Sequence, residues 1–422
     1  MDTLSPNEIP DAPVNNEETN SIETGRRAFL RTALLGTAAV GMPLINVTRS
    51  QVRAQAASKT NSKNTPAAPI APSGLIIRQR EPENVEFPFS SLNSFITPNE
   101  RFFIENQFAT PRIEANNWRL QIEGAVDRPF EITYDELLRM PSQTVTATLE
   151  SAGNNRVFLN PPERGVQWEL GAVGTAQWTG VPLSEILERA GVREEAIEVI
   201  LEGADSGEVR EEPRPPGSIR FARSLPLDKA RQPEVLLAYK MNGVDLPGAH
   251  GFPVRAVVPG WYGMAWVRWL SRILVSSVPF RGYFQSVDYN IWERRNGVAL
   301  LSPVTEMQVK AQIARPTLYE TVPLDKPYRV FGAAWAGESD VSQVEISSDD
   351  GRTWEKAALL GTPTRFAWRL WEYRWQTPKK AGRYNLMARA TDSGKRVQPM
   401  QRDSDRRSYM INHLLSIPVE VR

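Results

Sequence analysis

The chain has no cysteine among its 422 residues and only two histidines, His250 and His413. The first absence removes disulfides, thiolate nucleophiles, iron–sulfur clusters and haem attached through a C-x-x-C-H motif. Because of the second, a zinc enzyme, a bis-histidine haem domain or a Ser-His-Asp hydrolase would have to be built from those two imidazoles. An excess of one charge is also missing. Fifty basic residues face 49 acidic ones, so no bulk field draws the chain to nucleic acid or an anionic membrane. The apolar run at residues 32–45 is too short to span a bilayer comfortably. What remains is a length that allows two or three domains and a large core.

The N-terminus reads as an address. Residues 1–24 are polar and acidic, without apolar periodicity. Gly25-Arg26-Arg27-Ala28-Phe29-Leu30-Arg31 then precedes that apolar run and the small-residue site Ala54-Gln55-Ala56. Paired arginines, a short apolar region and an A-x-A site predict a twin-arginine export signal over residues 1–56, hence a periplasmic protein. That route carries proteins already folded in the cytoplasm, commonly around a cofactor. Its removal takes five basic and six acidic groups and leaves 45 against 43, a nearly neutral mature chain with no stable membrane span. An uncleaved anchor is the alternative. Residues 57–73, rich in Ser, Asn, Pro and Ala, read as a linker.

From Gly74 alternating apolar strands and turns begin. Residues 118–124 alternate as a half-buried strand should, and residues 96–107 read as a turn running into a strand. Residues 134–139 and 182–190 are expected to be short helices, the second capped at or just before Ser184. Strands are expected at 197–201 and 254–258. Residues 74–295 therefore form a mixed α+β domain. Residues 296–422 differ. Runs at 328–335, 341–346, 353–354, 366–375 and 384–391, separated by Gly, Asp and Pro turns, predict an all-β immunoglobulin-like sandwich.

Three stretches carry chemistry. The alternating run 144–149 feeds Glu150-Ser151-Ala152-Gly153-Asn154-Asn155-Arg156, which lifts residue 151 out at a strand end beside backbone free to approach a ligand. Alone, this is equally an ordinary turn. Residues 250–260 and 261–270 place His250, Arg255 and Arg268 around a Gly-rich turn, an arrangement suited to an anion such as a phosphate. By itself His250 also reads as a turn or core histidine. Residues 282–289 end in Tyr289.

Together these stretches resemble the sulfite oxidase family of molybdenum-cofactor enzymes, from about Gly74 to the C-terminus. The resemblance extends to residues 167–172 and 202–205, and in the second domain to Asp349-Asp350-Gly351-Arg352-Thr353-Trp354 and Trp368-Arg369-Leu370-Trp371, which resemble that family's dimerisation domain. It implies a molybdenum–molybdopterin cofactor, a small oxyanion substrate, a homodimer and an external electron acceptor such as a cytochrome. It also implies residue roles. Phe103, Ile104, Glu105, Asn106, Gln107, Asp205, His250, Arg255, Trp266, Val267 and Arg268 would hold the cofactor. Tyr289, Arg156, Trp168 and Arg369 would form the catalytic pocket, guanidinium being a natural partner for an oxyanion. Tyr289 and Trp168 also read as packed aromatics, and Arg369 as a simple salt-bridge former.

The departures cluster where the metal would sit. Ser151 stands where the family places its metal-ligating cysteine, and an alkoxide ligates only if the metal deprotonates it. A water or oxo group in the vacated place is the alternative. Glu105 and Gln107 stand where the family usually has Arg and His. At 4 Å and an effective dielectric of 20, exchanging Arg for Glu replaces roughly 4 kcal/mol of attraction for an anion with similar repulsion. Gly174 replaces an expected small hydroxyl residue. The function expected is oxygen-atom transfer to sulfite or a similar small substrate. The alternatives are a cofactor-binding relative with altered or no activity, and a sulfoxide-type reductase.

Overall fold

Strands dominate because runs of β-branched and aromatic residues alternate with polar ones, and turn residues punctuate them every few positions. The computed structural model describes residues 74–422, which fall within one compact unit. The expected export signal and linker lie outside the described residues. Two five-stranded sheets build the first domain. One runs Val244–Asp245, Leu236–Met241, Val173–Pro182, Gln143–Glu150, with Arg255–Val257 also pairing Leu236–Met241. The other runs Phe130–Thr133, Arg119–Gly124, Leu270–Ser276, Glu198–Glu208, Ser218–Pro226. Their inner faces share a core around Leu120, Ile122, Trp178, Leu201, Leu237 and Ile273.

α-Helix is confined, among the described residues, to short pieces at Tyr134–Leu138, Leu183–Ala190 and Leu227–Ala230, beside single 3-10 turns and a π-helical turn at Phe284–Asp288. The domain is thus mostly β with few helices. In the first piece the Thr133 hydroxyl accepts from the Glu136 amide at 3.2 Å while the Glu136 carboxylate accepts from the Thr133 amide at 2.8 Å, a reciprocal cap. The second buries Leu183, Ile186, Leu187 and Ala190, the spacing of one helical face, and each large side chain contributes about 1.5–3 kcal/mol. Its expected Ser184 cap is absent. The chain enters directly off strand Val173–Pro182, so Pro182 takes the capping position and Ser184 lies inside the first turn. The Leu183 amide donates instead to the Val235 carbonyl at 2.8 Å. Gly191, at φ +68°, ends the helix.

The C-terminal part is a sandwich. One sheet orders Lys310–Arg315, Pro327–Trp335, Arg369–Gln376 and Ala358–Leu359. The facing sheet orders Thr321–Val322, Ile417–Val421, Gly382–Asp392, Val341–Ser347 and Glu355–Lys356. Val330, Trp371 and Trp375 from the first pack on Val344, Leu386 and Val419 from the second. Thr353 and Trp354, expected in a strand, lie in the turn before Glu355–Lys356, because the Asp349 carboxylate accepts from the Arg352 and Thr353 amides. The strand expected from residue 366 begins at Arg369, since Phe366 turns the chain with φ +65°. A further core joins the two parts. Ala152, Val173, Tyr262 and Tyr289 of the first meet Phe331, Trp335, Trp368 and Tyr409 of the second. The stretch around Ser151 lies on that junction.

Candidate active site at the domain junction

Strand Gln143–Glu150 pairs with Val173–Pro182 in unbroken register up to Glu150 opposite Val173, and the Ser151 amide adds a bond to the Ala172 carbonyl at 2.9 Å. The chain then turns, the Asn154 amide donating to Ser151 at 3.0 Å and the Arg156 amide to Gly153 at 3.0 Å. The buried Ser151 hydroxyl oxygen accepts from the Gly153 amide at 3.1 Å. Glu150 holds the loop from beneath. Its carboxylate accepts from Lys310 Nζ at 2.8 Å, Trp335 Nε1 at 2.7 Å and Asn154 Nδ2 at 3.1 Å. Lys310 and Trp335 belong to the sandwich, so the second domain fixes the loop that presents Ser151.

Arg156 runs between two glycines. A Cβ on Gly153 would lie 2.3 Å from its guanidinium and one on Gly165 2.7 Å away, so neither position accepts a side chain without displacing the arginine. Arg156 Nη1 donates to Val166 at 2.8 Å and Nε to Ser408 at 3.2 Å, and the guanidinium lies 5.4 Å from the Tyr409 ring centre. It borders a cleft of about 1240 Å³.

Behind the cleft is a cavity of about 60 Å³ bordered by Phe102, Phe103, Asp205, His250, Arg255, Trp266, Val267 and Arg268. Glu105, Gln107 and Tyr289 line both spaces and so form the passage between them. The inner cavity is too small for a pterin by itself, whereas cavity and cleft together have ample room for a cofactor-sized ligand. Two guanidiniums sit here with few counter-charges. Arg255 donates to the carbonyls of His250 at 3.0 Å and Trp266 at 3.1 Å. Arg268 donates to Ala249 at 2.7 Å and to Glu105's backbone carbonyl. Burial and the neighbouring Arg268 push Arg255 well below its ordinary range. Burial, then Arg255 and Arg268, hold His250 down at about 3, so its ring is neutral. Such a cluster is short of an anion. Opposite it, burial raises Asp205 to about 6 although Arg268, then its own backbone amide, pull it back, and among the described residues no side chain donates to its carboxylate. A Cβ on Gly203 would meet Asp205 Oδ1 at 2.4 Å, so only glycine lets that carboxylate sit there. A pterin with ring N–H donors and a phosphate tail supplies both missing partners, and these residues therefore fit the cofactor.

The segment carrying Glu105 is pinned on both sides. Ile104 exchanges two backbone bonds with Val85, each 2.9 Å, and the Asn106 amide donates to Asn84 Oδ1 at 2.7 Å. Residues 96–107 therefore hold one short turn, Asn99–Arg101, and a single bridge at Ile104 rather than the expected strand. Burial raises the Glu105 carboxyl, and a hydrogen bond from Ser151, then the charges of Arg156 and Arg268, draw it back. The Trp168 indole nitrogen is close enough to lower Glu105 as well, yet completes no hydrogen bond of its own. Gln107 Nε2 donates to the Tyr289 hydroxyl at 2.5 Å. Burial, then Glu105 and Asp288, keep that phenol well above its ordinary range, so it stays protonated and able to donate.

Of the expected site residues, Phe103, Glu105, Gln107, Asp205, His250, Arg255, Trp266, Val267, Arg268 and Tyr289 border the inner cavity, and Asn106 and Arg156 the cleft. Ser151, Ile104, Trp168 and Arg369 border neither space. Trp168 is fully buried beneath Phe103, and Arg369 donates to Gly361 at 3.1 Å. Gly174 accommodates the Phe102 ring, 2.7 Å from where a Cβ would stand, so a hydroxyl side chain has no space there. Sequence reading missed Asp288 and Tyr409, which bond to each other beside Tyr289. It also missed buried Arg223, which donates to Phe284 and Val304 under the same turn. Their partners lie 61 to 121 residues away, and no local pattern announces them.

Comparison with known proteins converges on this arrangement. Residues 107–284 match the oxidoreductase molybdopterin binding domain, and residues 302–421 the Mo-co oxidoreductase dimerisation domain. The chain is 36% identical over 350 residues to sulfite oxidase of Gallus gallus, spanning 77% of this chain and 73% of that protein. It is 35% identical to mitochondrial sulfite oxidase of Rattus norvegicus, spanning 78% of this chain and 62% of that one. Nitrate reductase [NADH] of Volvox carteri is 34% identical, with 74% and 36% covered. The sulfane dehydrogenase SoxCD of Paracoccus pantotrophus shares the fold, with a TM-score of 0.70 at 24% identity over 91% of this chain and 92% of that one. Built around a cradle fitted to the molybdenum cofactor, the chain belongs to the sulfite oxidase family of molybdopterin oxidoreductases.

Proposed function

We propose that the chain is a periplasmic enzyme that transfers an oxygen atom from water to a small oxyanion, sulfite first among them, and passes the electrons to a separate carrier such as a cytochrome. The observation that carries this reading is the cluster of Asp205, His250, Arg255 and Arg268 behind a passage that ends at Tyr289, next to a cleft bordered by Arg156. The reaction balances as one sulfite and one water giving one sulfate, two protons and two electrons. The bound molybdenum cofactor supplies the two-electron oxygen-transfer chemistry. Arg255, Arg268 and neutral His250 bind its phosphate, and Asp205 accepts from its ring N–H groups. Arg156, held in place by Val166, Ser408 and Tyr409, offers charge to the substrate anion. Tyr289 keeps its proton and donates a hydrogen bond at the passage.

An external carrier is supported by the lack of cysteine and by two histidines set apart in sequence, which leave no haem motif in the chain. The paired Arg26-Arg27 and the Ala54-Gln55-Ala56 site support export to the periplasm. The match to a dimerisation domain supports a homodimer. Among the described residues no helix is long and apolar enough to cross a membrane.

A second reading, the same chemistry on a less anionic substrate, is favoured by the cleft itself. Six arginines there face seven glutamates and one aspartate, with Glu105 at its inner end. Metal and pterin analysis of the exported protein, followed by sulfite-dependent cytochrome reduction, tests both readings. Less than about a tenth of a molybdenum per chain would sink them, because a tight metal site is close to full. Full metal without sulfite turnover, restored by Ser151→Cys, would retire sulfite and leave the second reading.

A further inference from the structure

We infer that Glu105, not Ser151, supplies the protein's ligand to the metal, with Ser151 as the residue that positions it. This rests on the molybdenum-cofactor reading above. Glu105 lines both the inner cavity and the cleft, whereas Ser151 lines neither. The serine oxygen already accepts from the Gly153 amide at 3.1 Å, and its hydroxyl is close enough to the Glu105 carboxylate to draw that carboxyl down. A neutral hydroxyl must lose its proton before it can ligate, while a carboxyl group gives one up far more readily than an alcohol and suits a hard, oxygen-seeking metal.

Placement and charge agree with this. The backbone of Glu105 is fixed by Val85, Asn84 and Arg268, as a ligand that must meet a metal without reorganisation requires. Arg156 and Arg268 act on its carboxylate from a distance, and among the described residues no cation forms an ion pair with it. No group of three or more acidic or imidazole side chains fit to hold a metal exists among the described residues. One carboxylate beside the pterin's own donors is therefore what this chain can contribute.

The test is X-ray absorption at the molybdenum edge, with metal-to-pterin ratios, on holoprotein from a cofactor-competent host. Glu105→Gln and Glu105→Ala should each remove one oxygen scatterer or lower the metal-to-pterin ratio about tenfold after chelator dialysis, with pterin content kept. Ser151→Ala should retain the scatterer. An unchanged spectrum and ratio in both Glu105 variants overturns the assignment, as does loss of the scatterer in Ser151→Ala to the same extent. Wild-type protein with neither metal nor pterin fails the cofactor reading instead, so the two failures are distinct.

Discussion

The loop that presents the site depends on a buried ion pair between domains, and cutting it has a calculable cost. Lys310 and Glu150 are 2% and 1% exposed and lie 2.8 Å apart. At an effective dielectric of 20 the attraction over that distance is roughly 6 kcal/mol before desolvation is subtracted. Burial does hold Lys310 below its ordinary range, with Glu150 pulling it back, so much of that attraction is offset. Lys310→Met keeps the volume and strands the Glu150 charge. Stranding a buried charge typically costs about 3–5 kcal/mol. Glu150 still accepts from Trp335 and Asn154, which places the expected loss near the lower end, about 3 kcal/mol.

A double-mutant cycle separates the pair from its surroundings. Glu150→Gln removes the charge and keeps one acceptor, for Trp335 or for Asn154, since the two donate to different carboxylate oxygens. Lys310→Met with Glu150→Gln should therefore lose only about 1 kcal/mol, a coupling of at least about 2 kcal/mol. The measurement is the urea midpoint of cofactor-free protein, followed by tryptophan fluorescence. A Lys310→Met loss below about 1 kcal/mol, or single losses that simply add, would refute the claim that this pair holds the loop.

Other consequences follow from the cradle and the cleft. The Asp205 carboxyl, at about 6 in the folded chain against an ordinary 3.8, binds its proton more tightly when folded. Its contribution is complete below pH 3.8 and is lost as pH rises through about 6, roughly 3 kcal/mol in all. Denaturation midpoints of cofactor-free protein should fall across that window, and Asp205→Asn should flatten the fall. Arg268→Ala, which removes charge from the cavity and a bond to Glu105, should cut pterin content about tenfold while the chain stays folded, read by fluorescence of the released, oxidised pterin. Gly153→Ala should push the Arg156 guanidinium aside, raising KM for an anionic substrate about tenfold with little change in metal content.

What could be read in advance follows from distance along the chain. Strand Gln143–Glu150 shows in its own alternation, and the cradle from His250 to Arg268 is nearly continuous, so one glance at the sequence gathers it. Arg156 was legible as a charge at a turn, but Ser408, which fixes its direction, is 252 residues further on. Trp168 and Arg369 were expected in the pocket and sit behind it, because a residue type marks chemistry while only packing decides which way a side chain faces. The Ser184 cap failed for a related reason. Capping needs a residue outside the helix, and the boundary was set by where strand Val173–Pro182 delivers the chain.

The altered corner of the site is best understood through its charge. A thiolate and an arginine, the pair that family resemblance would place here, sum to zero, whereas Ser151 with an ionised Glu105 carries one negative charge. If Glu105 meets the metal, the anionic donor lost with the thiolate is regained from a neighbouring segment, and the metal's own balance is conserved. What is not regained is the arginine. The anion-binding charge then falls on Arg156 and the other arginines of a cleft where acids outnumber arginines eight to six. Replacing attraction by repulsion at about 4 Å is worth several kcal/mol against a dianion and almost nothing against a neutral oxygen acceptor. On that proposal, the same exchange that keeps the cofactor's environment intact would shift preference toward less charged substrates. Comparing turnover of sulfite with that of a neutral sulfur or nitrogen compound in one preparation measures that shift, and a clear preference for sulfite at physiological salt would show that Arg156 outweighs Glu105.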